Sequence, residues 1–220
     1  MPVIIAIDGP SASGKGTIAR KLAAHLGFAL LDTGLLYRAV GLAVLRAGGD
    51  PADAELAKNA ALALDPAQAA HLADDAGLRS DEASVAASKV AAIPAVRAAL
   101  LKFQKDFCIL PPDGKKGAVL DGRDIGTVIA PDAKVKIFVT ASPEARAERR
   151  YKELQGRGQN ATYAAVLADM KERDARDAER SIAPTKPAPD AVMLDTTEIN
   201  AEQAFAEAVR IASAKLATGS

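Results

Sequence analysis

The chain is poor in the residue types that build redox, zinc and base-stacking sites. Its 220 residues include one cysteine, two histidines and no tryptophan, and aromatic residues make up 4% of the total. The single thiol, Cys108, can form neither an intramolecular disulfide nor a two-cysteine redox motif. His25 and His71 have no cysteine or histidine partner at ligand spacing, which argues against a zinc site.

The chain also lacks an excess of either charge and any long apolar run. Basic and acidic residues each number 28, so no global field attracts nucleic acid or an acidic membrane surface. No apolar stretch approaches the length of a membrane span, and the N-terminal apolar run is too short for a signal peptide and lacks a basic flank. We therefore expect a soluble cytoplasmic protein with no nucleic-acid partner and no membrane partner.

What the chain does contain is a glycine-punctuated segment, GPSASGKGT at residues 9–17, directly after an apolar run at residues 3–7. Backbone N–H groups can surround phosphate oxygens only where no Cβ blocks the approach. A helix beginning near Lys15 adds the partial positive charge of its N-terminus, and the lysine reaches the outer phosphates. A strand, such a loop and a helix form a P-loop, which predicts nucleotide binding. The predicted contacts are Gly9, Pro10, Ser11, Ala12, Ser13, Gly14, Lys15, Gly16 and Thr17.

One position departs from the general P-loop pattern. Gly16 follows the lysine where the pattern has serine or threonine, and the hydroxyl stands one residue later, at Thr17. Asp121 ends a later apolar segment, in the place where P-loop proteins keep an acid directed at magnesium. Thr17 and Asp121 are therefore the candidate side chains for Mg²⁺, whose main ligands we expect to be nucleotide phosphates and water.

Five short apolar segments alternate with helical patterns along the chain. They span residues 3–7, 28–31, 117–122, 134–140 and 191–197. The alternation predicts an α/β fold of three layers, with a five-stranded parallel sheet covered by helices on both faces. The stretch between the second and third strands is too long for one crossover helix, so we expect an inserted lobe there. Part of that stretch, residues 52–76, is rich in alanine and is predicted to be helical.

Arginines follow the predicted strands on the side where ligands gather in open parallel sheets. Arg38 comes after the second strand, and Arg123 and Asp124 come directly after the third. Several arginines beside a P-loop suit phosphoryl transfer, because negative charge spreads over the transferred group and fixed cations stabilise it.

A predicted helix carries further charged residues. Arg173, Asp177 and Arg180 fall at helical spacing on one face, and a more basic helix lies upstream. We find no convincing general base. A hydroxyl acceptor needs one, whereas an acceptor phosphate, with a second pKa of about 6, is already largely ionised near neutrality. These features point to a nucleoside monophosphate acceptor.

Several blocks together resemble one family. The blocks are IDGPSASGKGT, LLDTGLLYRA, ASKVAAIPAVRAAL, LDGRDIGTVIAPDAKVKIFVTASPEARAERR and KERDARDAERSIAP. With these blocks in this order, the chain resembles bacterial cytidylate kinases. The resemblance implies a monomeric P-loop enzyme that transfers the γ-phosphate of ATP to CMP or dCMP with Mg²⁺. It also implies a single domain with a core at about 1–40, 108–145 and 181–220, a monophosphate-binding lobe at about 41–107, and a mobile lid at about 146–180.

The resemblance also implies roles for individual residues. It implies that Ser88, Arg97 and Asp124 surround the cytosine, while Arg38, Arg123 and Arg180 hold the acceptor phosphate. The remaining implied acceptor contacts are Thr33 and Tyr37 near the phosphate, Asp177 at the ribose and Arg173 on the sugar side. The implied catalytic residues are Lys15, Arg123, Arg180 and the lid arginines Arg149 and Arg157.

Other functions remain open at this point. The family often has a small antiparallel hairpin in the inserted lobe, yet residues 50–81 show no alternating strand pattern. The alternatives are a P-loop kinase for UMP, AMP or shikimate, and a regulatory ATP-binding protein whose arginine-rich helices dock RNA. The second alternative predicts a basic face with aromatics for stacking, whereas KERDARDAER interleaves acids with bases and has no aromatic residue.

Overall fold

The computed structural model of the protein describes residues 1–65, 72 and 75–217. Strands and helices alternate along most of this length. In chain order they are β1 (Val3–Asp8), α1 (Lys15–Leu26), β2 (Ala29–Asp32), α2 (Thr33–Arg46), α3 (Ala54–Leu62), α4 (Asp81–Val90), α5 (Pro94–Ile109), β3 (Gly117–Gly122), β4 (Val135–Thr140), α6 (Pro143–Gly156), α7 (Tyr163–Ala178), β5 (Val192–Asp195) and α8 (Ala201–Ala217).

The five strands form one parallel sheet in the order β2-β3-β1-β4-β5. The sequence prediction of an α/β fold with a five-stranded parallel sheet is therefore confirmed. β1 is central, with Ile5 opposite Val119 of β3 and Val135 of β4. Because all strands run the same way, the P-loop and the segments after β3 and β5 leave the sheet at its carboxyl edge.

The chain divides into two compact units. Unit 1 consists of Met1–Leu31 and Pro111–Ser220, and unit 2 of Asp32–Leu110. The limits that the sequence suggested for the core, the inserted lobe and the lid stay predictions.

The core of unit 1 lies between the sheet and two helices. Ile5 and Ile7 of β1 are fully buried against Ile18 and Leu22 of α1, and α8 adds Ile211. Each such side chain contributes about 1.5–3 kcal/mol when it leaves water. This packing holds the start of α1 at a fixed place after β1.

Apart from Asp32, which ends β2, the described secondary-structure elements of unit 2 are helices. Its core contains Leu36 and Val40 of α2 and Val90 of α4. Gly41 lets α2 and α4 approach closely, since a Cβ at this position would lie 2.7 Å from the Cβ of Ala86. Helix α4 ends at Val90 and α5 begins at Pro94, which takes the first helical position.

The helix predicted for the alanine-rich stretch is present only in part. α3 covers Ala54–Leu62, where the Asp53 side chain caps the first turn by accepting the N–H groups of Glu55 and Leu56. A 3₁₀ turn spans Ala76–Arg79. Residues 66–71 and 73–74 of the predicted helix lie outside the described residues.

Within the described ranges no single helix has both the length and the apolar composition of a membrane span. The segments Asp81–Val90 and Pro94–Gly114 reach those limits only as a pair, across a bend of 100°.

Candidate active site

The loop between β1 and α1 has the backbone geometry of an anion-binding site. Gly9 has φ 148°, and a Cβ there would lie 2.0 Å from the carbonyl oxygen of Val139. Gly14 precedes α1 with φ 89°, and no side chain caps the helix. No capping side chain therefore competes with an external acceptor at the start of α1, and the helix dipole favours a negative one.

Lys15 lies between the loop and a buried acid of the neighbouring strand. Its Nζ is 3.4 Å from the Pro10 carbonyl oxygen and 3.9 Å from Asp121 Oδ1, and its side chain is 11% exposed. A Cβ at Gly16 would lie 3.1 Å from Asp121 Oδ2. The unusual glycine after the lysine thus leaves room for the Asp121 carboxylate beside the loop.

The two candidate magnesium residues lie on different elements of unit 1. Asp121 ends up beside the lysine and Gly16, while Thr17 is half-buried in the first turn of α1. The described residues contain no group of three or more His, Cys, Asp or Glu side chains that could hold a metal ion. A cation here would therefore depend on ligands from the nucleotide, as is usual for Mg²⁺ at phosphates.

Three arginines surround one carboxylate of α7: Arg123 comes from the segment after β3, whereas Arg173 lies on α7 and Arg180 just beyond its end. Arg123 Nε donates to Asp177 Oδ2 at 3.4 Å, and Arg180 pairs with Asp177 Oδ1 at 2.5 Å. Burial alone would raise the pKa of the Asp177 carboxyl, but Arg123, Arg180 and Arg173 together hold it below its ordinary value. Asp177 is therefore ionised, and the cluster gathers predicted site residues whose positions lie far apart in the sequence.

Asp8, the last residue of β1, is a site residue that sequence reasoning missed. It is 5% exposed, and its two oxygens accept the N–H groups of Ile125 (2.7 Å) and Gly126 (2.8 Å). Those N–H groups directly follow Arg123 and Asp124, so Asp8 fixes the turn that carries both. The available signal was an acid at the end of an apolar strand, just before the first P-loop glycine.

The Asp8 carboxyl is hard to ionise. Burial raises its pKa to about 7, although the two backbone hydrogen bonds lower it. Repulsion from Asp124 and Asp121 is a smaller contribution to the same rise. A carboxyl with both oxygens engaged by backbone donors is not placed to take a proton from a substrate.

Two arginines of α6 and Arg157, which directly follows it, lie in three different environments. Arg146, which the sequence prediction did not include, is buried and donates to the carbonyl oxygen of Ser11 in the P-loop. Arg149 donates to the hydroxyl of Thr196 at 3.0 Å and to the Thr196 carbonyl. Arg157 pairs with Glu153 and is 38% exposed. Arg146 thus contacts the P-loop directly, and the catalytic roles predicted for Arg149 and Arg157 stay predictions.

Unit 2 brings together a second set of predicted residues. Arg38 donates to the Leu78 carbonyl at 2.7 Å, and the guanidinium of Arg97 lies 5.4 Å from the ring centroid of Tyr37. Ser88 is 3% exposed and Arg97 8% exposed. Neither is therefore an ordinary residue of a solvated helix surface. The break between α4 and α5 lets both face the interior although nine positions separate them.

Comparisons with known protein sequences point to one family. Residues 5–214 match the family described as cytidylate kinase. The chain is 63% identical to a cytidylate kinase of Paramagnetospirillum magneticum, over 98% of this chain and all of that protein. It is 59% identical to a cytidylate kinase of Rhodospirillum rubrum, over 97% and 98% of the two chains.

Solved structures agree on the fold. An uncharacterised protein from Eubacterium ventriosum superimposes with a TM-score of 0.53 at 16% identity, over 94% of this chain and 96% of that one. At this identity the match concerns the fold only, whereas the sequence matches reach almost the full length of both chains. This chain belongs to the cytidylate kinase family.

Proposed function

We propose that this protein transfers the γ-phosphate of ATP to CMP or dCMP, giving ADP and CDP or dCDP. Family membership supports the substrate pair. The structural observation that carries the proposal is that unit 1 holds an uncapped helix N-terminus with its lysine and, separately, three arginines gathered at α7. Phosphoryl transfer requires such fixed positive charge, because the protein acts mainly by positioning and electrostatic stabilisation.

The P-loop holds the donor. The backbone N–H groups of residues 9–17 surround the phosphates of ATP, and Lys15 neutralises the outer ones. When bound, Mg²⁺ neutralises charge on the phosphate oxygens, with Asp121 and Thr17 as the protein groups directed at it. Asp121 also keeps the lysine ammonium in place at the loop.

Unit 1 also holds residues that we assign to the acceptor. Arg123 and Arg180 bind its phosphate, Asp177 the ribose, and Arg173 the sugar side. Asp124 accepts the amino group of cytosine, which suits a carboxylate. In the described structure Asp177 keeps the arginine side chains in fixed positions, so that no side-chain ordering is needed when the phosphate arrives.

Unit 2 supplies a second group of acceptor contacts. Arg38, with Thr33 and Tyr37 nearby, is assigned to the phosphate. Ser88 and Arg97 are assigned to the ring acceptors of the base. The stacking of Arg97 on Tyr37 and its bond to the Ala91 carbonyl at 3.3 Å define its direction before any base is bound.

The reaction needs no general base. Of the four buried aspartates in the described part of unit 1, Asp8 is engaged by two backbone N–H groups, Asp121 by Lys15 and Asp177 by arginines, and we assign Asp124 to the cytosine amino group. An acceptor phosphate is ionised near neutral pH without help. This is the property that separates CMP from a hydroxyl acceptor such as shikimate.

We further propose that residues 41–107 form the monophosphate-binding lobe and that residues 146–180 form a lid over the donor, with Arg149 and Arg157 turning toward the phosphates when nucleotide binds. The enzyme acts as a monomer in the cytoplasm. Light scattering across a range of protein concentrations tests the monomeric state. The mass should stay constant at that of one chain.

The test of the proposed function is a coupled assay of ADP production from MgATP with CMP, dCMP, UMP, AMP and shikimate in parallel. CMP and dCMP should turn over fastest. If CMP reacts no faster than UMP or AMP, the cytosine assignment is wrong but the kinase assignment stands. If none of the acceptors yields ADP, the protein is not a kinase of this class.

A further inference from the structure

Two carbonyl groups of the P-loop are held by side chains from outside the loop. Arg146 of α6 donates to the Ser11 carbonyl at 3.2 Å, and the hydroxyl of Thr196 donates to the Ser13 carbonyl at 2.9 Å. Both donor residues are buried, at 4% and 2% exposure. The loop therefore has its outer side fixed by the surrounding structure of unit 1.

Fixing a carbonyl also fixes the amide on the same peptide. In a planar trans peptide the C=O and the following N–H point in opposite directions. The Ser11 carbonyl shares its peptide with the N–H of Ala12, and the Ser13 carbonyl shares its peptide with the N–H of Gly14. The two side chains thus determine where two of the phosphate-binding donors point.

The backbone at these positions needs such support. Ala12 has φ 57° and Gly14 has φ 89°, both in the left-handed region. A residue with a Cβ, such as alanine, stays in this region only when its surroundings hold it there. Ala12 is partly buried against a cluster that includes Ala147 of α6 and Met170 of α7, which adds packing to the hydrogen bond.

Arg146 is itself held on several sides. Its Nε donates to the Ala141 carbonyl at 3.0 Å, and its second terminal nitrogen lies 2.7 Å from Asp174 of α7. The planar guanidinium presents its donors in a rigid fork, so these partners together define one orientation. A side chain engaged in this way is not available to a phosphate.

Thr196 is held by a second arginine of the same helix. Arg149 donates to its hydroxyl oxygen, which leaves the single hydroxyl proton for a carbonyl acceptor. The acceptors within reach are Ser13 at 2.9 Å and Thr140 at 3.1 Å. Helix α6 therefore supports both loop carbonyls, one directly and one through Thr196.

We propose that Arg146 and Thr196 are positioning residues that orient the Ala12 and Gly14 amides, so that the P-loop is preorganised before a phosphate chain binds. The proposal rests on the proposed function only in taking the P-loop as the ATP-binding site. It predicts that loss of either contact weakens binding of ATP without weakening binding of CMP.

The sharpest test uses two substitutions of similar size at one position. Thr196→Val removes the hydroxyl and keeps the shape, whereas Thr196→Ser keeps the hydroxyl. We expect Thr196→Val to weaken the affinity for MgATP, measured by calorimetry, by about tenfold. Thr196→Ser should stay within about twofold of the parent chain, and the affinity for CMP should not change in either variant.

A second pair of variants tests the arginine. Arg146→Met should weaken MgATP binding at least as strongly as Thr196→Val does. Lys152→Met, at an exposed position of the same helix, should have no effect. Circular dichroism checks that each variant is folded. Before nucleotide is added, the ¹⁵N shift of the Gly14 amide should change in Thr196→Val and that of the Ala12 amide in Arg146→Met, because each amide shares a peptide with the carbonyl that the substituted side chain holds.

The outcomes are distinct. Equal ATP affinity in Thr196→Val and Thr196→Ser would overturn the proposal, and so would parallel losses of ATP and CMP affinity, which indicate general destabilisation. Failure of the parent chain to bind ATP would instead overturn the proposed function and the inference with it. If Arg146→Met does not fold, the threonine pair still decides the question.

Discussion

Three buried acids of unit 1 show how single residues are adapted to different tasks. Asp121 lies beside an ammonium group, and the guanidiniums around Asp177 hold the pKa of its carboxyl below the ordinary value. Asp8 has backbone N–H groups as its partners and two acids nearby, and its pKa rises to about 7. The difference follows from the partners, since all three residues are almost equally buried.

A prediction about pH follows for Asp8→Asn. The pKa of Asp8 is about 7 in the folded protein against an ordinary value of 3.8. Between these two pH values the folded state keeps a proton on Asp8 that the unfolded state has released. The contribution of Asp8 to stability is therefore largest at low pH and is lost as the pH rises toward 7. Asparagine cannot titrate. We expect the free energy of unfolding of the variant, relative to the parent chain, to rise with pH by at most roughly 1.4 kcal/mol per unit.

Urea unfolding at pH 5, 6, 7 and 8 measures this difference. It should rise up to about pH 7 and then level off, as linkage requires for a carboxyl with a raised pKa. A difference that stays constant over this range would show that Asp8 is ionised throughout and that its burial does not control its pKa.

A second residue-scale prediction concerns Arg123→Ala. Its guanidinium is half-buried against Asp177, and a transition-state arginine stabilises the charge of the transferring group. We expect kcat to fall by at least about a hundredfold while the protein stays folded.

Arg210→Ala is the matched control for that substitution. Arg210 pairs with Glu207 on the surface of α8 and is 68% exposed, so turnover should not change. If the Arg123 variant turns over at the parent rate, the assignment of this arginine to the acceptor phosphate is wrong.

At the scale of elements, close packing of two helices shapes unit 2. Helices α2 and α4 meet at Gly41, where the nearest backbone atom, the carbonyl carbon of Ala86, would lie 2.9 Å from an added Cβ. A backbone atom in an opposing helix cannot move aside alone. The helix pair that carries Tyr37, Arg38 and Ser88 therefore depends on the absence of a side chain at this position.

Gly41→Ala tests this packing, and Gly156→Ala on α6 is its control. Alanine favours both helices by up to about 1 kcal/mol, but at Gly41 overpacking costs about 1–3 kcal/mol. We expect Gly41→Ala to lower the free energy of unfolding by about 1 kcal/mol. Gly156 has nothing within 4 Å of an added Cβ, so its substitution should stabilise the protein slightly.

Thermal or urea unfolding of the two variants gives the comparison. Opposite signs are expected. Stabilisation by both substitutions would show that α2 and α4 can separate at no cost, in which case Gly41 does not set their distance.

At the scale of the whole molecule, the balanced charge argues against polynucleotide binding. Basic and acidic residues are equal in number, and the arginines of α7 are interleaved with acids. We expect no binding of a labelled single-stranded RNA at about 150 mM salt in fluorescence anisotropy, because neutralisation of phosphates by clustered cations drives such binding. Tight binding that weakens steeply with salt would instead support a regulatory RNA-docking protein.

Much of the molecule could be predicted from local patterns. The P-loop was recognisable because its glycines and lysine are adjacent in sequence, and the strands because each is short and continuously apolar. The convergence of Arg123 and Asp177 was less accessible, since 54 positions separate them. Sequence reasoning placed both near the acceptor only through family resemblance, and it treated Arg149 and Arg157 alike although their surroundings in the structure differ.

The sequence by itself determined the order of strands and helices, the position of the P-loop and the family. Only the tertiary structure decided how that loop and its neighbours are supported. Asp8 reaches Gly126 across 118 positions, Arg146 reaches Ser11 across 135, and Thr196 reaches Ser13 across 183. The physical reason is that a hydrogen bond between distant segments depends on where the sheet and helices place them, and it leaves no periodic or local pattern in the chain.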